Sequence, residues 1–229
     1  GALAVTMGDQ IVYQRYYGYQ DIGELTPVTA DTYFRIASVT KMVSAIGLMQ
    51  LKEQGLVELD ADISRYFGYE IANSYYPDTP VTLRQLMSHT AALNSNGFYE
   101  SGGTLRSLLS RKAKHSESFL NQIPGSAYEY SNFGAGVAGA VMEAVTGVSV
   151  NRYMRDNVFA PLSIDASYDP SILGDPASVS SIYLRDGKRY RGAEYLLSQP
   201  YEDFADPQRH YGTTVGSLWI RLKDLATLT

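Results

Sequence analysis

The sequence has 229 residues, with 19 Lys and Arg against 24 Asp and Glu for a net charge of −5, and 45% hydrophobic against 19% charged residues. That length suffices for one large domain or two modest ones with a real core, and the acidic balance argues against nucleic acid or an anionic membrane as the main partner. There is no cysteine, which excludes disulfides, thiolate nucleophiles and zinc–thiolate sites, and no apolar run reaches the roughly 18 residues of a bilayer span.

From the N-terminus, ALAVTMGDQIVYQRYYGYQD predicts a β-hairpin, because two β-prone runs flank Gly8-Asp9 and a Gly-X pair suits a type II′ turn. The opening lacks a basic segment followed by an apolar one, so no signal peptide is expected within it. GELTPVTADTYFRIA reads as loop around Pro27. From Val39 the apolar residues Val39, Met42, Val43, Ile46 and Met49 recur at helical spacing with Gly55 as the stop, which puts Ser38 at the N-cap or first turn. LVELDADISRYF predicts a short helix or turn, and after the YYPDTP break Thr82 caps a predicted helix in VTLRQLMSHT. Residues 94 to 120 are polar apart from a helical patch around TLRSLLSRK. IPGSAYEYSNFGAG opens on a Pro-Gly turn, VAGAVMEAVTG reads as a small-residue helix ending at Gly147, and Ser149 caps another in VNRYMRDNVF. From 165 to 210 the pattern is broken by Pro170, Pro176, Pro200 and Pro207, with a hairpin at Asp186-Gly187, and GSLWIRLKDLATLT reads as a last helix. A lone two-stranded hairpin is marginal in water, so the N-terminal strands need neighbours that this sequence does not clearly provide.

The chemistry concentrates at two places. Ser38 and Lys41 are three apart at a helix start, and residues at that spacing face each other across one turn. A serine hydroxyl is a weak nucleophile until a neighbour takes its proton, and a lysine does so when burial or a nearby cation favours its neutral form. The helix start helps twice, by disfavouring a second cation and by offering free N–H groups to an oxyanion. Ser-x-x-Lys alone is a common accident in a serine-rich chain. A second signal, Tyr130-Ser131-Asn132 after the Pro-Gly turn, adds a phenol that a lysine can hold as phenolate for general-base work, and an amide suited to a substrate carbonyl. His89, His115 and His210 lack metal-ligand spacing, and His89, following a helix, reads as a structural residue. Asp60 and Asp62 read as a solvated turn, Trp219 as core, and Tyr75-Tyr76 as loop packing or a cleft wall. The 19 tyrosines fit polar clefts and amphipathic strands equally well.

TYFRIASVTKMVSAIGLMQLKEQGLVELDADISRYF resembles the nucleophile region of the serine β-lactamase and penicillin-binding-protein-like superfamily, within it the class C β-lactamase, D-aminopeptidase and family VIII esterase branch. That branch pairs Ser-x-x-Lys with Tyr-x-Asn. VTLRQLMSHTAAL resembles its Leu-Leu-x-His-Thr-Ser-Gly-Leu segment, PGSAYEYSNFG its Pro-Gly-x-x-x-x-Tyr-Ser-Asn segment, VFAPLSI its Pro-Leu-Gly-Met segment, and GSLWIRLKDLATL its Asp-Leu-Ala segment, all in order. The resemblance implies Ser38 as the acylated nucleophile and Lys41 as its activator. Tyr130 would be the general base that later returns a proton to the leaving group, and Asn132 would bind substrate and hold Lys41. The Ser38 N–H would be half of the oxyanion hole, with no metal or organic cofactor.

The fold so implied is an α/β (α+β) two-region β-lactamase/transpeptidase-like one, with an antiparallel sheet flanked by helices and a mainly helical region. Residues 1–35 and 205–229 fall in the first and 36–204 in the second, with the active site in the cleft between them. The expected function is hydrolysis through an acyl-enzyme of a β-lactam, a D-amino-acid peptide or an ester, with no nucleic-acid partner, in the periplasm or outside the cell. The alternatives are a non-catalytic penicillin-recognising module and an inactive fragment. The branch's third motif, Lys/His-Thr-Gly, lies after Asp-Leu-Ala, where this sequence ends at Thr229. The resemblance therefore places the remaining strands and the second oxyanion donor outside it, with a second chain as one possible supplier. Ala91-Ala92 stands where the branch has Ser-Gly, and Ser163 where it has Gly.

Overall fold

The computed structural model describes residues 1–95, 103–111 and 118–228, so His115 lies outside the described residues. Contacts divide the chain into two units, Gly1–Ala37 with Arg155–Glu202 and Ser217–Thr229, and Ser38–Met154 with Asp203–Gly216.

In the terminal unit, β1 (Ala2–Met7) and β2 (Gln10–Tyr16) form the expected antiparallel hairpin, turning at Gly8 with φ +61°. β3 (Tyr19–Asp21) pairs with β4 (Thr26–Pro27). β5 (Tyr33–Arg35), β6 (Ala166–Ser167) and, after the β7 (Ile182–Tyr183) and β8 (Arg189–Arg191) hairpin, β9 (Trp219–Arg221) follow. β9 is the centre of a three-stranded ladder, with Ile220 opposite both Phe34 and Ala166. Among the described residues the antiparallel pairing is spread over four small sheets and does not form one sheet.

Two expectations are corrected here. GSLWIRLKDLATLT is not one helix: β9 precedes a helix over Leu222–Thr227, because Trp219 and Ile220, 3% and 1% exposed, are held in the ladder by partners distant in sequence. Arg155–Glu202 groups with the terminal segments and Asp203–Gly216 with the helical ones, unlike the expected division at 36 and 205. The cause is the β6–β9 pairing and a shared apolar cluster of Tyr33, Leu173, Val179 and Trp219.

The helical unit contains α1 (Val39–Glu53), α2 (Ser64–Phe67), α3 (Leu83–Met87), α4 (Leu105–Leu109), α5 (Asn132–Thr146) and α6 (Val150–Met154). The inward face of α1 is Thr40, Val43, Ser44, Gly47, Leu48 and Leu51, while Val39, Met42 and Met49 of the anticipated apolar stripe are exposed. Gly47 on this face lets Met142 and Met154 approach closely enough to crowd a Cβ there. Thr82 and Gln85 form a reciprocal capping box on α3. α5 starts five residues earlier than VAGAVMEAVTG suggests, because the Ser131 hydroxyl accepts the Gly134 N–H at 2.9 Å and caps the helix there.

The glycines of α5 let the segment 211–214 lie against it. A Cβ on Gly136 would overlap the Tyr211 carbonyl, and one on Gly139 would fall 2.5 Å from Thr214 Cγ2. The Thr214 hydroxyl donates to the Ala135 carbonyl at 2.8 Å, and one turn pair further on, buried Glu143 accepts from the N–H groups of Val150 and Asp206. Segment 203–216 is thus fastened to α5 at several points. Ala92 and Ser163, which replace glycines of the resembled pattern, keep a left-handed backbone at φ +53° and +56°. An L-residue holds that conformation only at a cost of about 1–2 kcal/mol.

Candidate active site

Ser38 sits at the N-cap of α1 with helical dihedrals (φ −66°, ψ −12°) and makes no side-chain cap bond. A capping serine would spend its oxygen on the N2 or N3 N–H. Here the oxygen instead meets two side chains: Lys41 Nζ donates to Ser38 Oγ at 3.1 Å, and Tyr130 OH donates to it at 2.9 Å. The residue before it, Ala37, is left-handed at φ +45°, a backbone outlier beside Ser38. Lys41 is a one-turn neighbour by spacing, but its aim is fixed from elsewhere, by a 2.7 Å hydrogen bond to the Val215 carbonyl. That carbonyl is delivered by the segment fastened to α5.

Tyr130 lies in the loop before α5, with Lys41 Nζ 5.2 Å from its ring centre. Burial acts to raise its phenol, but the hydrogen bonds with Lys41 and Ser38 and the Lys41 charge outweigh it, so the phenol ionises below its ordinary value. Asn132 heads α5 half-buried, and its N–H donates to Ser95 Oγ at 3.2 Å. The expected hold on Lys41 is supplied by Val215; among the described residues the Asn132 side chain makes no hydrogen bond to Lys41. The Ser38 N–H has no protein acceptor among the described residues and points from the helix start, where an oxyanion is favoured.

Two contributors were not visible in the sequence reading. The Val215 carbonyl has no residue-type signature. His89, set down as structural, packs in a tilted arrangement against the Tyr130 ring at 4.5 Å, and its Nδ1 accepts the Ser131 N–H at 3.2 Å. Burial, and then the Lys41 charge, push its imidazole below the usual histidine value. Trp219 is buried as expected for core, and Asp60, 69% exposed, pairs with Arg84. Among the described residues no cluster of three or more His, Asp or Glu side chains is arranged to hold a metal.

Comparison with known proteins adds a lineage to this geometry. A model of the Beta-lactamase family matches residues 1–229. Protein flp of Staphylococcus aureus (strain N315) is 24% identical over 165 residues, covering 70% of this chain and 33% of its own. The chain thus spans about a third of the length of the curated relatives it matches. Among solved structures, a class C beta-lactamase superposes with a TM-score of 0.75 at 18% identity, over 99% of this chain and 57% of its own. EstCE1, a hydrolase with promiscuous acyltransferase activity, gives 0.70 at 21% identity, over 99% and 65%. At such identities the likeness establishes a shared fold.

Proposed function

Because this chain belongs to the Beta-lactamase family, we propose that it is a serine hydrolase, forming an acyl-enzyme on Ser38 from an amide, β-lactam or ester and releasing the acyl group to water. The observation that carries this reading is the position of Ser38 Oγ within hydrogen-bond reach of both Lys41 Nζ and Tyr130 OH. A nucleophile touching its base, with the base oriented by a third group, is the arrangement that covalent catalysis requires. The names of its structural relatives, a beta-lactamase and a hydrolase with acyltransferase activity, support the same acyl chemistry.

In this mechanism the Tyr130 phenolate, stabilised by Lys41, takes the Ser38 hydroxyl proton as Oγ bonds to the substrate's carbonyl carbon. The carbonyl electrons move onto oxygen, which is met by the Ser38 N–H at the start of α1. The intermediate collapses, the C–N or C–O bond breaks, and the leaving amine or alcohol takes the proton back from Tyr130. Water then attacks the ester, giving one proton to Tyr130, which passes it to Ser38 Oγ as the acid departs. Asn132 at the head of α5 holds the substrate's carbonyl or amide. The substrates that suit this site are a β-lactam, a D-amino-acid peptide or a simple ester.

The test is the intact mass after treatment with a fluorophosphonate or a β-lactam, followed by peptide mapping. One adduct per chain on Ser38, absent from Lys41→Ala, is the expected result. A folded chain that takes no adduct overturns the mechanism. Decay of the β-lactam adduct reports hydrolysis, and an adduct that persists makes the protein a penicillin-recognising module instead.

A further inference from the structure

We propose that His89 is a positioning residue that clamps the loop carrying Tyr130 and so sets the aim of that phenol at Ser38. The inference begins at the end of α3. There the Thr90 N–H donates to the Gln85 carbonyl at 2.8 Å and the His89 N–H to the Leu86 carbonyl at 3.4 Å, with Ser88 as C-cap. That pair of bonds is a Schellman motif, whose C′ position calls for a left-handed backbone and is normally filled by glycine. His89 occupies it at φ +57°. A β-substituted residue is strained there, and the strain persists only where something else over-determines it.

What the residue does in return is hold four consecutive residues, three of them through its side chain. Its ring lies edge-on to Tyr128 at 5.9 Å and packs, tilted by 41°, against the Tyr130 ring at 4.5 Å. Its carbonyl accepts the Glu129 N–H at 2.8 Å, and its Nδ1 accepts the Ser131 N–H at 3.2 Å. Ser131 in turn caps α5. Tyr130 is therefore bracketed on its face and on both sides along the chain by one residue, and its hydroxyl arrives 2.9 Å from Ser38 Oγ. An Nδ1 that accepts a hydrogen bond carries no proton, so the clamp needs the neutral ring with its proton on Nε2. The titratable groups facing the ring are Lys41 from α1 and Tyr128 and Tyr130 from the loop. Burial and the Lys41 charge both favour that neutral form. Protonation at acid pH would turn the acceptor into a donor facing the Ser131 N–H and release the loop.

Because the rate effect rests on the acyl-enzyme reading, the experiment has one arm that depends on it and one that does not. His89→Gly suits the Schellman position and deletes the side chain. Its unfolding midpoint is expected to equal or exceed that of the native chain, while fluorophosphonate labelling of Ser38 slows about 10- to 100-fold, the size of effect that misplacing a catalytic group produces. His89→Asn tolerates the left-handed backbone and offers Oδ1 to the Ser131 N–H. It should recover part of that rate and lose the fall in rate expected of the native chain at acid pH, below the ordinary histidine value, as His89 protonates. The independent arm follows the Tyr130 ring carbon by NMR in 13C-tyrosine protein. Its ionisation, below the ordinary phenol value in the native chain, should move back up in His89→Gly. A Gly variant that labels at the native rate, or whose Tyr130 titration does not move, overturns the clamp. A native chain that never labels while Tyr130 still shifts in His89→Gly rejects the acyl-enzyme and leaves the clamp supported.

Discussion

Ten of the fifteen residues of α5 are buried, several of them Gly or Ala, whereas in the β1–β2 hairpin Leu3, Val5, Met7 and Val12 are 47–72% exposed. The helix is ordered by backbone-to-backbone approach that only small residues allow, and the segment lying on it carries the carbonyl that aims Lys41. The hairpin is paired strand to strand and leaves these apolar side chains in solvent. Site geometry should accordingly be sensitive to changes around α5 and nearly indifferent to changes in the hairpin.

The largest effect is expected at the loop that leads into α5. Tyr130→Phe removes the proposed base and should slow Ser38 acylation about 10²- to 10⁴-fold with no change in melting temperature, measured by quenched labelling and thermal denaturation. Next, Gly136→Ala forces a methyl into the Tyr211 carbonyl, and urea denaturation should register a loss of about 3 kcal/mol. Near-native stability in that variant would mean that close approach does not order the helical unit. A smaller, pH-dependent signal belongs to Glu143. Burial raises its carboxyl above the ordinary 4.5 despite the N–H groups it accepts and the nearby His210, so the folded state binds its proton more tightly than the unfolded chain does. Its contribution to stability is then fully present below 4.5 and lost as pH rises through the higher folded value. Native protein should lose stability over that interval relative to Glu143→Gln, and a constant difference between the two would rule this out. The smallest effect is in the hairpin: Met7→Lys at a 72% exposed position should shift unfolding by no more than about 0.5 kcal/mol.

What the sequence made legible is what short-range rules encode. Ser38 and Lys41 meet because three residues make a helical turn, Thr82 and Ser149 cap because their oxygens suit an N-cap, and both hairpins turn at Gly-containing pairs. The features that stayed hidden depend on partners far along the chain. Trp219-Ile220-Arg221 holds two strand-favouring residues, but so short a run inside a helix-like pattern becomes a strand because Tyr33–Arg35 and Ala166–Ser167 are there to pair with it. The inward face of α1 includes Ser44 and Gly47 beside Val43, Leu48 and Leu51 and leaves its methionines outside, with Met142 and Met154 lying close over Gly47. A carbonyl such as that of Val215 belongs to every residue type, so no pattern announces it. His89 did leave a trace, a bulky residue where a helix end favours glycine, but its meaning depended on the loop it touches.

The hydrogen bond from Lys41 to Val215 also has a consequence during synthesis. The two residues are 174 positions apart, and Tyr130 lies 92 positions from Ser38. A ribosome that has released only the first half of this sequence exposes a serine and a lysine one helical turn apart, with neither the phenol nor the carbonyl that completes their arrangement. The arrangement around Ser38 Oγ is therefore completed only when segments far apart in the sequence have closed on one another.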